Sequence, residues 1–226
     1  MARSADKLIT QITQDISSGA LRPGDQLEEA DLSERFNVSR TPVREAIGVM
    51  VSNGLLETRP RKGAFVRVLT PEELLDLFEV AAELEAMACR LAAGSLTEEH
   101  ELAIKIQLDR CKKVAASNDK KQYSICNLEF HDAIHQASRN KWLISQLKQT
   151  GIHLNSYRSI PYDVRGRLAK SADEHEQIFE AILEGDERKA SDLMRDHMML
   201  QGKRLPSMIK YMAQHTPKLN MSYAND

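Results

Sequence analysis

Ser39-Arg40-Thr41-Pro42-Val43-Arg44-Glu45-Ala46 is the stretch from which the fold can be read. Ser39 is an N-cap residue by type, able to accept a backbone N–H from the first turn, and Pro42 falls within that turn, where a missing N–H costs little. A helix is therefore expected to begin at about Arg40. Val43, Ile47, Val51 and Leu55 then recur at helical spacing, an apolar stripe that must face a core. Arg40, Thr41 and Arg44 lie off that stripe at the N-terminal end, so two guanidinium forks and a hydroxyl point outward. Arginines placed there suit guanine edges or phosphates in a DNA major groove, with small polar groups and helix N–H groups for the backbone. Exposed arginines on an amphipathic helix are ordinarily no more than a solvated face, so the neighbouring sequence decides.

Upstream, residues 27–36 read as a short helix with Leu32 and Phe36 inward, and Asn37-Val38 is a tight turn, so residues 29–53 form helix, turn, helix. Downstream, Gly54 ends the second helix. Residues 55–58 and 64–68 read as two short strands, and Arg59-Pro60-Arg61-Lys62-Gly63 between them makes a basic hairpin tip, a wing. Residues 35–67 carry seven basic side chains against Glu45 and Glu57, whereas the whole chain of 226 residues has a net charge of −2. A local positive surface on a near-neutral chain is the electrostatic footprint of a nucleic-acid partner.

These residues resemble a known family. Gly19 to Leu27 (Gly-Ala-Leu-Arg-Pro-Gly-Asp-Gln-Leu), Leu32 to Ala46, Gly54-Leu55 and Gly63-Ala64-Phe65-Val66 are similar to the GntR family of bacterial transcription regulators over roughly residues 5–68. The resemblance implies that Arg40, Thr41 and Arg44 contact operator DNA, with the wing around Lys62 and Gly63 in the minor groove or against phosphate. Arg35, Ser39 and Arg61 complete the expected DNA-binding set.

The remaining sequence is helical in pattern. Residues 4–18 place Leu8, Ile9, Ile12 and Ile16 on one face of a first helix, and Pro23-Gly24-Asp25 is a turn. Thr70, Pro71 and Glu73 make a capping box that opens a second domain. From there helices are expected over 71–94, 97–117, 119–138, 141–158, 165–184 and 187–213, with a loose tail after His215. The expected fold is mainly α: a winged helix-turn-helix domain of three helices and a small β-hairpin over residues 1–69, then an all-α bundle of about six helices over 70–226. No apolar run approaches the roughly 18 residues a membrane span needs, and no secretory h-region follows Met1, which predicts a soluble, cytoplasmic protein. Cys89, Cys111 and Cys126 have no CxxC spacing and are expected to be free, packed thiols.

Within the bundle, Asn127 and His131 stand four apart on one helix, and His175 and His197 lie amid apolar residues on two later helices that can converge on the same interior point. A lone histidine is ordinarily a hydrogen-bonded core or surface group. Three imidazoles and an amide oxygen, however, suit a borderline divalent ion such as Zn²⁺, Ni²⁺ or Mn²⁺. His135, also four from His131, is expected to point outward.

The second domain resembles the FCD domain of the FadR subfamily over roughly residues 72–205, on Asp76 to Val80, Leu84-Glu85, Arg90 to Ala93, Asn127 to Ile134, Glu174 to Ile178 and Asp196-His197-Met198. That resemblance implies a divalent metal on Asn127, His131, His175 and His197, most simply zinc, a small organic effector such as a carboxylic acid, and a homodimeric, ligand-responsive regulator, a repressor by preference. Many such domains grip the effector with an arginine where this chain has Ala81. Arg158 and Arg167 are the alternative partners for a carboxylate. The rival reading, a hydrolytic metal centre with Glu174 or Asp132 as base, lacks any HExxH, nucleophile elbow or phosphate loop. Adjacent helical positions also point to different faces, which is expected to turn Glu174 and Asp132 away from their histidine neighbours.

Overall fold

The computed structural model describes residues 4–17, 19–158, 162 and 165–202. Two compact units divide between Thr70 and Pro71.

In the first unit, α1 (Ser4–Ser17) buries Leu8, Ile12 and Ile16 against α3 (Arg40–Ser52). α2 (Glu29–Phe36) ends at Asn37, whose left-handed backbone (φ 51°) turns the chain into α3. The core face of α3 is Val43, Ala46, Ile47 and Met50. Val51, expected inside, is half-buried, as is Phe36, whose ring is covered by the Arg35 guanidinium at 4.9 Å.

The wing is larger than its sequence pattern suggests. β1 (Gln26–Leu27), β2 (Leu56–Arg59) and β3 (Gly63–Val66) form an antiparallel sheet in the order β1-β3-β2, with Leu27 opposite Ala64 and Leu56 opposite Val66. β1 follows the turn at Pro23-Gly24-Asp25 and takes in Leu27, which the sequence reads as the start of the next helix; α2 begins only at Glu29. Two residues are too few to show alternation, and this strand exists because β3 offers its second edge.

The second unit is helical throughout: α4 (Pro71–Ser95), α5 (Glu98–Ser117), α6 (Lys120–Ala137), α7 (Lys141–Arg158), α8 (Arg167–Leu183) and α9 (Glu187–Gly202). The expected continuation of the last helix to residue 213 lies outside the described residues. Local chemistry sets the boundaries. Thr97 and Asp119 cap α5 and α6 by accepting from the His100 and Gln122 backbone N–H groups. Asn118 ends α5 in the left-handed conformation. α4 packs on α6, α7, α8 and, most extensively, α9. Its buried face runs Leu74, Phe78, Ala81, Ala82, Glu85, Ala86 and Cys89, so one carboxylate sits in the middle of an apolar stripe. Cys89, Cys111 and Cys126 are free and buried on α4, α5 and α6. No helix among the described residues is long and apolar enough to cross a membrane.

Candidate functional sites: a reading helix and a buried histidine centre

Arg40, Thr41 and Arg44 stand exposed at the start of α3. Ser39 holds the extended N-cap conformation (φ −70°, ψ 168°), but its hydroxyl makes no capping bond. The sequence expectation is corrected here for a clear reason: the third helical position, whose N–H a cap usually takes, is Pro42. The hydroxyl therefore faces solvent uncommitted. Two arginines of the expected set are held inside the unit: Arg44 Nε donates to Glu29 Oε2 at 2.8 Å, and Arg35 Nη1 donates to Asp15 Oδ2 at 2.6 Å. At the wing tip Arg61 (φ 62°) and Gly63 (φ 88°) both adopt left-handed backbone. Gln26 Nε2 fastens the tip to β1 by donating to the Lys62 carbonyl at 2.8 Å. Arg61, Lys62 and Gly63 are exposed. Arg59, by contrast, lies 4.1 Å over the Phe65 ring and pairs with Glu57, which makes it part of the wing's frame.

In the second unit, α6, α8 and α9 bring His131, His175 and His197 together. Each is about 1% exposed or less, and one ring nitrogen from each lies within 4.8 Å of the others. His175 Nε2 and His197 Nε2 are 3.3 Å apart, the separation of about 3.3 Å that two nitrogens have when each lies 2.0–2.1 Å from one tetrahedral ion. Phe130 stacks on the His175 ring, centroids 4.2 Å apart, and fixes its plane. Asn127 is 1% exposed, and its Oδ1 has no hydrogen-bond partner. A buried carbonyl oxygen left unmet one helical turn before His131 fits a metal's donor set.

Two carboxylates orient the imidazoles. Glu85 Oε2 accepts from His131 Nδ1 at 3.0 Å and from His135 Nε2 at 2.8 Å. Glu174 Oε2 accepts from His197 Nδ1 at 2.7 Å and from Arg167 Nη1 at 2.8 Å. In both pairs the Nδ1 side is engaged, so Nε2 is the nitrogen left to ligate. Burial pushes the Glu85 carboxyl up, but the charges and N–H groups of His131 and His135 outweigh it and hold it well below the usual range. Glu174 is held down in the same way by His197 and Arg167 against its burial. Burial, reinforced by His197, His131 and Arg167, keeps His175 well below the ordinary imidazole value, and burial lowers His197 against the pull of Glu174. Both shifts favour the neutral imidazole, the form that binds metal.

Two expectations change, and one further residue gains a role. His135 is buried against Glu85 rather than turned outward. Glu174 turns toward His197 on α9 and Arg167 along the same face of α8, drawn by the N–H donors it meets there. Glu85 carries a role that its sequence position alone did not suggest, although a lone carboxylate on an apolar helical face must find partners. Asp132 is exposed and accepts from Gln136 at 3.3 Å. Arg167 is 3% exposed and close to the histidine centre through Glu174. Arg158 ends α7, and its side chain lies outside the described residues. Ala81 is buried one turn before Glu85.

A winged helix with an exposed basic reading helix, followed by an all-helical unit around a polar centre, defines a two-domain DNA-binding regulator. Two family models match: bacterial regulatory proteins of the gntR family over residues 4–66, and the FCD domain over residues 76–199. The chain belongs to the GntR family of transcriptional regulators, in the group that carries an FCD domain. It is 28% identical over 192 residues to the probable D-xylose utilization operon transcriptional repressor of Paenarthrobacter nicotinovorans, covering 83% of this chain and 82% of that one. It is 26% identical over 197 residues to the HTH-type transcriptional repressor GlaR of Escherichia coli K12, covering 83% and 89%. The solved E. coli McbR/YncC shares its fold, with a TM-score of 0.80, 23% identity and coverage of 92% and 100%.

Proposed function

We propose that this chain is a metal-containing, effector-responsive repressor that binds operator DNA as a homodimer. The observation that carries the reading is the trio His131, His175 and His197, converging from three helices with two of the rings oriented by carboxylates, in a unit joined to a DNA-reading head. Asn127 and the three histidines hold the ion. Three nitrogens and a neutral oxygen favour zinc, with nickel or manganese as substitutes. The bound ion supplies a Lewis-acid anchor for an oxygen of the effector.

At the other end of the chain, Arg40 and Arg44 read base edges, while Ser39, Thr41, Arg61, Lys62 and the Gly63 backbone hold phosphates. Arg44 and Arg35 exchange Glu29 and Asp15 for DNA on binding. Two copies place their reading helices in successive major grooves. Leu77, Val80, Leu84, Met87 and Leu91 form a partly exposed apolar stripe along α4, which supports pairing of the second unit. The effector acts by binding one arrangement of the two domains more tightly than another. Glu174 Oε2 is engaged by Arg167 and His197, and the sequence holds no HExxH, nucleophile elbow or phosphate loop, which counts against the hydrolytic alternative.

Elemental analysis of untagged protein tests the centre. Near-stoichiometric metal that disappears in a His131→Ala, His175→Ala double variant is the expected result, and no metal in either sample overturns the metal reading. Fluorescence anisotropy with operator and scrambled DNA tests the head: Arg40→Ala and Arg44→Ala are each expected to weaken operator binding by ~1–3 kcal/mol. Equal affinities of wild type and variants for both DNAs would sink that assignment.

A further inference from the structure

Cys111 and Cys126 face one another across a helical hairpin. α5 and α6 are joined by Asn118-Asp119, and the two cysteines stand at equal remove from that turn, Cys111 seven residues before Asn118 and Cys126 seven after Asp119. In an antiparallel pair of helices such positions come to one level. Arg110 and Glu129 pair across the same two helices beside them, which fixes the register. Both cysteines are at 0% exposure. Their thiols are in contact: Cys111 Sγ donates to Cys126 Sγ, which donates in turn to the Tyr123 carbonyl at 3.4 Å.

A buried cysteine ordinarily behaves as a small hydrophobe. Cys89 on α4 is of that kind, since burial and the Glu85 charge push its thiol well up. The hairpin pair differs in having a second sulfur in reach and in its access. α5 packs chiefly on α6 and α8, and the Arg110 and Glu129 side chains next to the two sulfurs are each 42% exposed. A small neutral oxidant therefore has only a half-exposed ion pair to pass. The Arg110 guanidinium there also stabilises charge that develops on a departing hydroxide.

We propose that Cys111 and Cys126 are a peroxide-oxidisable pair that closes to a disulfide across the α5–α6 hairpin. One sulfur attacks a peroxide oxygen, the O–O bond breaks, and the thiol proton leaves with the other oxygen as water, so the thiol is oxidised to a sulfenic acid. The second sulfur attacks the sulfenic sulfur, the S–O bond breaks, and hydroxide departs with the second thiol proton as a further water. Two thiols lose two hydrogens, and one peroxide is reduced to two waters. The sulfurs draw in from hydrogen-bond contact to about 2.05 Å. The loop they close, of about fifteen residues, is long enough for a disulfide to restrain its opening strongly. Asn127 directly follows Cys126, and Phe130, stacked on His175, lies one turn further along α6. The clamp thus sits on a helix that builds the histidine centre, and its closure requires no ion there.

The test uses full-length protein, reduced, desalted and exposed under native conditions to a small excess of hydrogen peroxide. Intact mass is expected to fall by about 2 Da, and alkylation after denaturation to drop from three thiols to Cys89 alone, with Cys111 and Cys126 in one linked peptide. Amide exchange in α5 and α6 near Asn118 is expected to slow at least about tenfold, and a phosphine reductant to restore it. Cys111→Ser and Cys126→Ser are each expected to lose that slowing and to stop at a sulfenic acid, about 16 Da heavier and trapped by dimedone. Cys111→Ala repeats this arm should a serine variant fail to fold. Three alkylatable thiols after peroxide, sulfinic or sulfonic acid in place of the linkage, a linkage to Cys89 or to a second chain, or a linked peptide with unchanged exchange overturns the proposal.

Discussion

Replacing Glu85 by glutamine removes one charge from the interior and almost no volume. In the native protein a single carboxylate oxygen accepts from two imidazoles, at 3.0 and 2.8 Å, with the Glu85 side chain 1% exposed. Hydrogen bonds to a charged group contribute about 1.5–3 kcal/mol each and neutral ones about 0.5–1.5. If the amide oxygen keeps the position of Oε2, the change costs ~1–1.5 kcal/mol per bond, or ~2–3 kcal/mol for the pair. Loss of the carboxylate behind His131 is also expected to weaken zinc binding about 10–100-fold, as for other groups that orient a ligating histidine. Urea unfolding of zinc-stripped Glu85→Gln protein, followed in the helical transition of the second unit by far-UV circular dichroism, measures the first effect. Competition with a chromophoric chelator measures the second. A stability loss below ~1 kcal/mol, together with wild-type zinc affinity, would refute the claim that Glu85 organises the centre.

Phe130→Ala removes a fully buried ring stacked on His175 and is expected to destabilise the second unit by about 3–5 kcal/mol, read from the same urea melts. Glu29→Ala releases Arg44 from an exposed ion pair, so folding stability should change by less than ~1 kcal/mol. Binding to non-specific DNA at low salt should tighten, with a steeper salt dependence, in anisotropy titrations. At Asp15, burial raises the carboxyl, but hydrogen bonds from Arg35 and Gln11 and the Arg35 charge outweigh it and hold it below its ordinary 3.8. That stabilisation is fully present above pH 3.8 and is lost as pH falls through the lower folded value. Arg35→Gln should flatten the acid limb of the first unit's melting temperature against pH, and an unchanged limb assigns it elsewhere. Gly63→Ala must hold a left-handed wing tip (φ 88°), which should cost about 1–2 kcal/mol and weaken DNA binding while leaving zinc content alone.

The sequence made the helices legible because their ends are marked by local chemistry. Ser39, Thr97, Asp119 and the Gly185-Asp186 stop lie within a residue or two of helix boundaries, and the apolar periodicity between them leaves little choice. β1 was hidden because two residues carry no pattern and the strand is created by pairing Gln26 with Phe65 and Leu27 with Ala64, far along the chain. The three histidines were legible as a converging set. Their orienting groups were not, since Glu85 reaches the centre from α4, and whether His135 faces in or out depends on that distant carboxylate. Ser39 shows the opposite failure: residue type predicts a cap, and one neighbouring proline three positions on removes the donor.

The closest pairing in the second unit is between its first helix and the last one described, α4 and α9. This has a consequence for biosynthesis. The described elements of the winged unit have all been synthesised once residue 70 has left the ribosome, and their contacts are within easy reach along the chain. α4 follows immediately, but the helix that covers it is synthesised more than ninety residues later, several seconds behind at about 5–20 residues per second. During that interval the nascent chain carries a finished DNA-reading head and an apolar α4 awaiting cover. The second unit is therefore the last to become competent, and the stretch in between is where chaperones have the most to protect.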